Sequence, residues 1–295
     1  MKTLLPILAV ALAIGSPLAA KPTPGKAADF AVGPQYDTTH VYVAPQDFDR
    51  FVTTFVATFG GTTTKQGVFT VTPTPSKTMS QLVLTPVGTI SVFGFKTPVP
   101  YPFGAERTGY LVTDLDAATA AARAAGATRL LAIFPDPIGR DVVVQWPGGV
   151  NMQLYWHTTA PNYPALKTVP ENRVYLTPDA ANAFLQAWTR YSHGRILSDN
   201  RKADAAEIGR PGQTFRRVVV SSGYGKVALL VSDGLLPWPY GRDMTGYEVA
   251  DLAVTLDKAK TAGAEVLAGP TSVNGRQTAV LRFPGGYIAE VHAPR

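Results

Sequence analysis

The chain has 295 residues, including 27 Gly and 25 Pro, and it contains no Cys. The missing Cys excludes disulfide bonds, thiolate metal ligands and a cysteine nucleophile. Charged residues make up only 16% of the sequence, against about 25% in an average soluble domain, which favours a large core over a charged tail or a long coiled coil. The net charge of +6 comes from scattered basic residues without a nucleic-acid-binding motif, so we expect no nucleic-acid partner.

Residues 1–20 have the layout of a secretory signal peptide. A positive charge at Lys2 precedes a mostly apolar run and then a group of small residues, which is the order that signal peptidases recognise. We predict cleavage after Ala20, with Ala28 as the alternative, and a flexible tether over 21–35. The apolar run is too short to span a bilayer comfortably, so we expect an exported periplasmic or secreted protein without a stable membrane anchor.

The next part of the chain predicts one strand, one helix and three further strands. The helix has an apolar face that includes Phe51 and Phe55, and Gly60 and Gly61 end it. The predicted elements are a strand at 40–44, a helix at 46–59 and strands at 67–71, 81–87 and 89–95.

The same order then begins again. A strand is predicted at 109–113 and a helix at 115–125, with Asp114 as the N-cap acceptor and Gly126 as the end of the helix. Further strands follow, and Pro147-Gly148-Gly149 predicts a hairpin turn between two of them.

The second half of the chain repeats the first. The segment 100–110 (PYPFGAERTGY) recurs as 237–247 (PWPYGRDMTGY), and the start of the first unit at 40–45 recurs at 173–178. Helix caps and turns recur as well, at Asp251, Gly263 and Pro284-Gly285-Gly286. A repeat of this length indicates four βαβββ modules.

Two features of the repeat remain open at this stage. The second copy carries extra polar and basic residues between Ser198 and Arg216, which predict an exposed loop. The two loops rich in Pro and aromatic residues, at 100–104 and 237–241, either cover the mouth of a cavity or act as rigid connectors.

This pattern resembles the vicinal oxygen chelate superfamily, which includes glyoxalase I, bleomycin-resistance proteins and extradiol dioxygenases. The residues that carry the resemblance are HVYV at 40–43, the Gly-Tyr-x-Val-x-Asp-Leu blocks at 109–115 and 246–252, and the closing strands at 151–155 and 288–292.

The resemblance implies an α+β fold of two tandem glyoxalase-like domains. Each domain then has two βαβββ modules in a curved mixed sheet, with the helices outside and a ligand cavity on the concave face. Domain 1 is expected at 36–157, a linker at 158–170 and domain 2 at 171–293. We expect a monomer, because both domains of the family-type interface lie in one chain.

The family usually holds a divalent metal with His, Gln and Glu, and the metal acts as a Lewis acid. The resemblance places the ligand positions at His40, Ser91, Arg107 and Gln153 in the first domain and at Arg173, Ala228, Met244 and Glu290 in the second. A guanidinium has no lone pair to offer a metal. We therefore predict no cofactor and a degenerate metal site. If a divalent metal does bind, the candidate ligands are His40, Gln153 and Glu290.

Strand alternation places the remaining polar residues on the same cavity face. In the first domain the predicted ligand-binding residues are His40, Tyr42, Arg107, Gln153 and Tyr155, with Phe93, Trp146 and Asn151 beside them. They would suit a small molecule with a ring and a carboxylate or carbonyl bound by Arg107. His40 alternatively starts a strand and hydrogen-bonds a turn. Tyr110 and Tyr247 should face away and pack under helices.

The equivalent residues of the second domain are Arg173, Tyr175, Glu248, Glu290 and His292. Either an Arg–Glu pair neutralises itself inside the sheet, or Glu290 or His292 acts as a general base. His40 and Glu290 are the candidate catalytic residues.

Three functions follow from these observations. The first is an exported glyoxalase-like protein that binds a small organic molecule in the domain 1 cavity, with a degenerate metal site. The second is a divalent-metal-dependent lyase, isomerase or dioxygenase. The third is a non-catalytic structural or interaction protein with a vestigial cavity. An open pocket around His40, Arg107 and Gln153 would separate the first two from the third.

Overall fold

A computed structural model of the chain describes residues 29–33, 39–164, 166 and 170–295. The predicted signal peptide and most of the predicted tether lie outside the described residues. Within the described part of the chain, no helix is both long and apolar enough to cross a membrane.

The first half of the chain forms two mixed sheets, one from each module. In each sheet the first strand of the module runs parallel to the last strand, and the other strands pair antiparallel. The elements of the first module are β1 (Thr39–Tyr42), α1 (Phe48–Phe59), β2 (Thr62–Thr63), β3 (Gly67–Phe69), β4 (Thr78–Thr85) and β5 (Gly88–Phe95). Those of the second are β6 (Gly109–Leu111), α2 (Leu115–Ala125), β7 (Thr128–Arg129), β8 (Phe134–Asp136), β9 (Gly139–Trp146) and β10 (Val150–His157).

The second half has the same two modules but joins them into one eight-stranded sheet. Its elements are β11 (Glu171–Leu176), α3 (Pro178–Ser192), β12 (Arg195–Asp204), β13 (Thr214–Ser222), β14 (Gly225–Val231), β15 (Met244–Glu248), α4 (Leu252–Ala262), β16 (Glu265–Val273), β17 (Arg276–Arg282) and β18 (Ile288–Pro294). The strand order is β12-β13-β14-β11-β15-β18-β17-β16, and β11 pairs antiparallel with β15 at the centre.

The ends of this curled sheet lie close together. The backbone N–H of Asp204 donates to Asn274 Oδ1 over 2.9 Å, and Asn274 Nδ2 donates to the Asp204 carbonyl over 3.1 Å. The prediction of an α+β fold with four βαβββ modules and curved mixed sheets is confirmed.

The predicted ends of α2 and α4 are confirmed in atomic detail. The Asp114 carboxylate accepts from the Ala117 N–H, and Asp251 accepts from the Val254 N–H, each over 3.0 Å. Both helices end at a Gly in the left-handed region, with φ of 118° at Gly126 and 101° at Gly263, where a side chain would be strained. The two Pro-Gly-Gly segments also form the predicted turns, between β9 and β10 and between β17 and β18.

The prediction of an exposed loop between Ser198 and Arg216 is wrong in part. The strand β12 is mostly exposed up to Lys202, but the turn Ala205–Ile208 that follows it is mostly buried, and the Glu207 side chain is fully enclosed. The physical reason is that Glu207 meets arginine side chains on the sheet, so this carboxylate is neutralised inside the protein rather than by water.

The helices pack in pairs that join the two halves. Helix α1 contacts α4, where Thr54 Oγ1 donates to the Ala262 carbonyl over 2.8 Å. In the same core the Phe55 ring lies 5.2 Å from the Phe283 ring and 5.6 Å from the Tyr247 ring, centroid to centroid. Each half therefore completes the core of the other.

The second core joins α2 and α3. Trp188 of α3 lies 5.7 Å from Tyr110 and 5.4 Å from Trp146, measured between ring centroids. The prediction that Tyr110 and Tyr247 pack under helices is confirmed. The prediction that Trp146 faces the ligand cavity is wrong: alternation along β9 turns Trp146 toward the helices and into this core.

Because both cores contain residues from both halves, we expect the protein to unfold as one unit. Truncation of Phe55 in the first core, by Phe55→Ala, should lower the free energy of unfolding by about 3–5 kcal/mol. The urea midpoint should shift by the same amount whether unfolding is followed by far-UV circular dichroism or by tryptophan fluorescence. The buried Trp146 and Trp188 lie in the other core, so their fluorescence reports whether that core unfolds together with the first. The exposed Val254 is a matched control, and Val254→Ala should change stability by less than about 0.5 kcal/mol. A shift seen by circular dichroism alone would contradict cooperative unfolding.

Candidate functional site

A cavity of about 230 Å³ lies among the strands of the first half. Its inner end is polar, and aromatic and aliphatic side chains form most of the walls. The polar members include His40, Tyr42, Ser91, Asp141, Gln153 and His157, and the apolar members include Phe69, Val71, Leu82, Phe93, Phe103 and Tyr155. The exposed side chains of Lys65 and Ile138 also line the cavity, so it opens to solvent on that side.

Four of the five residues predicted to bind a ligand in the first domain share this cavity: His40, Tyr42, Gln153 and Tyr155, together with Phe93. Asn151 does not line it, and its Oδ1 accepts from Gln145 Nε2 over 3.0 Å.

Arg107 lies elsewhere, in a second cavity between the two halves. Consecutive residues of an extended chain point in opposite directions. The preceding residue, Glu106, points toward His40 and Tyr42, so Arg107 is directed away from the first cavity.

Glu106 is the residue that the sequence analysis missed. Its side chain is fully buried, and Oε1 lies 3.5 Å from His40 Nδ1. The same oxygen accepts a hydrogen bond from the Tyr42 hydroxyl. Glu106 Oε2 has no hydrogen-bond partner among the residues that the structure describes. A buried carboxylate therefore lies directly behind the polar wall of the cavity.

The repeat contained a signal for this residue. Glu106 and Asp243 occupy the same place after the two Pro-aromatic loops, and both carboxylates are directed to a repeated tyrosine. Glu106 accepts from the Tyr42 hydroxyl, whereas Asp243 Oδ1 accepts from the Tyr175 backbone N–H over 3.3 Å. Burial raises the pKa of Asp243 to about 6, although the Tyr175 N–H and Arg107 favour the charged form.

Electrostatics keep the Tyr42 hydroxyl protonated. Burial, followed by the proximity of Glu106, raises the pKa of Tyr42 well above its usual value. Tyr42 is therefore a hydrogen-bond donor to Glu106 at neutral pH. The His40 ring is held by an edge-to-face contact with Phe93, with 5.4 Å between the ring centroids.

A repeated glycine makes room for the polar groups of both halves. A Cβ at Gly109 would lie 2.2 Å from His40 Nε2, and a Cβ at Gly246 would lie 2.6 Å from Glu290 Oε2. At either position a Cβ would force the His40 ring or the Glu290 carboxylate to move. The glycine of the repeated Thr-Gly-Tyr segment therefore leaves space for a polar side chain packed against it, His40 in the first half and Glu290 in the second.

The face of the second sheet that corresponds to the cavity is filled by ion pairs. The guanidinium of Arg173 is 1% exposed, and its Nη1 lies 3.2 Å from Glu171, 3.0 Å from Glu207 and 3.6 Å from Glu290. Arg217 and Arg276 bind the same Glu171 and Glu207 carboxylates. We call the six residues Glu171, Arg173, Glu207, Arg217, Arg276 and Glu290 the buried ion network.

Two further predicted residues adjoin this network. His292 Nδ1 lies 2.8 Å from Glu290 Oε2, and His292 Nε2 lies 3.8 Å from Glu248 Oε2. Tyr175 lies beside Arg173, and burial raises the pKa of its hydroxyl to about 12. The structure thus gathers all five residues predicted for the second domain, and Glu290 is enclosed by Arg173, His292 and Thr278.

Four members of the network were missed from the sequence. Glu171 precedes Arg173 by two residues on β11, so strand alternation contained a signal for it. Arg217 and Arg276 lie on β13 and β17, which the sequence analysis left without bounds. Glu207 lies in the segment interpreted as an exposed loop, and nothing local marks it as buried.

Opposing effects set the charge of these carboxylates. Burial alone would raise the pKa of Glu207, but Arg173, Arg276 and Arg217 together lower it from 4.5 to about 2. The same kind of balance lowers the pKa of Glu171 and of Glu290. All three carboxylates are therefore charged at neutral pH.

The residues present do not fit the metal site that the fold implies. No group of three His, Cys, Asp or Glu able to hold a metal ion occurs in the described part of the chain. In the first half, the cavity lining offers His40, Asp141, Gln153 and His157, with Glu106 behind His40, but the family's third ligand position is Arg107, which lines the other cavity. In the second half the guanidinium of Arg173 occupies the position equivalent to His40, and a cation repels a metal ion. The side chains at the family's ligand positions therefore do not make up a family-type set of metal donors.

No protein-family model matches the chain, and no curated protein matches it either. Its structure is similar to solved structures. A variant of 4-hydroxymandelate synthase from Streptomyces coelicolor superposes with a TM-score of 0.57 at 15% identity, covering 89% of this chain and 93% of that one. The 2,3-dioxygenase LapB from Pseudomonas sp. KL28 gives 0.52 at 13% identity, covering 90% and 93%. A Mn(II)-bound glyoxalase from Novosphingobium aromaticivorans gives 0.52 at 12% identity, covering 90% and 83%.

These enzymes are members of the vicinal oxygen chelate superfamily, and the chain has their fold. The resemblance stated from the repeated blocks is confirmed at the level of the fold. At identities this low the similarity carries no activity from those enzymes to this chain.

The buried ion network should make stability depend on acid pH. A carboxylate whose pKa is lowered by folding stabilises the protein above its unfolded pKa, and that stabilisation is lost as the pH falls toward the folded pKa. For Glu207 the lowering from 4.5 to about 2 corresponds to about 3 kcal/mol. The free energy of unfolding should therefore fall between pH 5 and pH 2, as measured by urea denaturation. Glu207→Gln should lose about 3 kcal/mol at pH 7 and show a weaker dependence on acid pH.

The exposed pair of Glu265 with Arg282 provides the control for this measurement. Glu265→Gln should cost less than about 1 kcal/mol, because exposed ion pairs contribute little, and it should keep the acid dependence of the natural protein. Equal urea midpoints for the natural protein at pH 3 and pH 7 would contradict the assigned role of the network.

Proposed function

We propose that the protein binds a small organic molecule in the cavity of its first half, without a family-type metal. The expected ligand has a flat ring and an oxygen-bearing group such as a carbonyl or carboxylate. The single observation that supports this most strongly is the cavity itself, which combines apolar aromatic walls with a polar inner end formed by His40, Tyr42 and Gln153.

The walls favour a flat apolar group. Phe93, Phe103 and Tyr155 face the cavity together with Leu82 and Val71, and aromatic rings bind other rings by stacking or edge contacts. A volume of about 230 Å³ is close to the lower end of the range for small-molecule sites, which favours a ligand with a single ring.

The inner end supplies the polar contacts. Gln153 offers an amide oxygen and an amide N–H₂ group, and His40 offers an imidazole that is 3% exposed. Glu106 is a positioning residue in this proposal, because its carboxylate holds both the His40 ring and the Tyr42 hydroxyl in place from behind. A preorganised polar end loses less entropy when a ligand binds.

The second half supports the assignment of ligand binding to the first half. Its corresponding face is occupied by the buried ion network, in which Arg173 and Glu290 lie where the family's ligand positions map. We propose that this half stabilises the chain and that the two halves have different roles.

Two fluorinated probes test the proposal: 4-fluorobenzoate for a carboxylate and 4-fluoroacetophenone for a carbonyl. In fluorine NMR titrations of the full chain, at least one should bind saturably. Ser91 faces the cavity opposite His40 on the neighbouring strand, so Ser91→Phe should fill the space and weaken binding at least tenfold. Treatment with a chelator should leave the affinity unchanged.

The exposed Ser198 on β12 gives the matched control, and Ser198→Phe should bind as the natural protein does. If Ser91→Phe does not fold, Leu82→Trp on the adjacent strand fills the same cavity. Absence of saturable binding for both probes would refute the proposal. Binding that is lost with the chelator and restored by Mn²⁺ or Fe²⁺ would instead favour the metal-dependent enzyme.

We also propose that the protein is exported, on the sequence of residues 1–20 alone. In a Gram-negative host that expresses the full chain, the product should accumulate in the periplasm and begin at Lys21, or at Asp29 if cleavage follows Ala28. N-terminal sequencing of the periplasmic fraction measures this. A charge in the apolar run, Leu8→Arg, should retain the uncleaved chain in the cytoplasm. An uncleaved cytoplasmic product from the natural sequence would contradict export.

A further inference from the structure

A second cavity, of about 410 Å³, lies between the two halves and is not explained by the proposed function. It is lined by Arg107 from the first half and by Arg242 and Asp243 from the second. His40 and Tyr42 line both cavities, so these two side chains form the wall between them. The second cavity therefore has its own lining and a different chemistry.

The two arginines carry positive charges that no described carboxylate contacts. Neither Arg107 nor Arg242 forms an ion pair with any residue that the structure describes. The guanidinium carbon of Arg107 lies 5.9 Å from the centroid of the Tyr42 ring, and that of Arg242 lies 4.8 Å from the Trp238 ring. Cation–π contacts of this kind hold a guanidinium in place without neutralising it.

The acidic side chains near this cavity are fewer than its arginines or accept hydrogen bonds from other groups. Asp243 is the one carboxylate among the described residues that line this cavity, and its Oδ1 accepts from the Tyr175 N–H. Glu106 lies behind Tyr42 and His40 and accepts from the Tyr42 hydroxyl. Positive charge therefore exceeds negative charge among the residues that face the cavity.

The hydroxyl-bearing residues that line this cavity are already hydrogen-bonded. Thr39 Oγ1 and Thr245 Oγ1 share a hydrogen bond over 3.2 Å, and the Tyr287 hydroxyl shares one with Tyr247 over 2.9 Å. The two guanidinium groups are therefore the main donors for an anion. Guanidinium groups bind carboxylates and phosphates through paired N–H donors. We infer that the cavity between the halves binds an oxyanion, the carboxylate or phosphate group of a small molecule, through Arg107 and Arg242.

Calorimetric titration of the full chain with citrate and with inorganic phosphate tests this inference in a buffer of low ionic strength. At least one anion should bind at one site per chain, and the stronger binder identifies the group as carboxylate or phosphate. Arg107→Gln should weaken that binding at least tenfold. Asp243→Asn should strengthen it severalfold, because a like charge is removed while an oxygen remains to accept from Tyr175.

Controls separate this site from surface charge and from the first cavity. The exposed Arg123 of α2 provides a matched loss of charge, and Arg123→Gln should bind the anion as the natural protein does. Ser91→Phe should also keep anion binding, whereas Arg107→Gln should keep the binding of 4-fluoroacetophenone, which carries no anionic group. If Arg107→Gln does not fold by circular dichroism, Arg242→Gln takes its place, with a smaller expected loss because Arg242 is more exposed.

Three results would overturn the inference. The first is the absence of saturable binding for both anions. The second is equal weakening by Arg107→Gln and Arg123→Gln, which would indicate surface charge. The third is loss of anion binding in Ser91→Phe, which would place the anion in the first cavity. Binding of the uncharged 4-fluoroacetophenone is independent of all three results, so failure here is distinguishable from failure of the proposed function.

Discussion

Charge buried on the sheet faces is the constraint on which the rest of this structure depends. Removing an ionised side chain from water costs several kcal/mol unless partners replace the water. The two halves satisfy this requirement in different ways. In the second half Arg173 is surrounded by Glu171, Glu207 and Glu290, so charges fill the space. In the first half one carboxylate, Glu106, is held by Tyr42 and His40, and a cavity remains.

This difference explains how one duplicated unit supports two roles. The backbone frame is shared, and the glycine before each repeated tyrosine leaves space for a polar side chain in both halves. What differs is the residue on the first strand of each half, His40 or Arg173, and the number of charges that it requires. An imidazole needs one partner and leaves room for a ligand, whereas a guanidinium in the same place needs several carboxylates. Exchange of His for Arg at this one position therefore changes the packing of a whole sheet face.

The fold was largely predictable from the sequence because local and repeated signals agree. Asp114 and Gly126 mark the ends of α2, and the same residue types recur at Asp251 and Gly263, so each assignment is supported twice. The site was less predictable. Alternation along strands correctly placed His40 and Gln153 on the cavity face. It does not hold just before β6, where the side chain directed toward the cavity wall is that of Glu106 rather than that of Arg107. Burial of Glu207 depends on Arg173, Arg217 and Arg276, which are distant in sequence, and no local pattern encodes such a contact.

The same divergence accounts for the position of the cavity between the halves. The acid after each Pro-aromatic loop turns toward a tyrosine of its own half, Glu106 toward Tyr42 and Asp243 toward Tyr175. Arg107, which follows Glu106, is directed the other way, and it shares a space with Arg242 and Asp243 of the second half. Glu106 is drawn toward Tyr42, and Asp243 Oδ1 accepts from the Tyr175 N–H, so the two arginines have no ion-pair partner in the described part of the chain. An excess of positive charge between the halves is thus a consequence of how each half neutralises its buried acid.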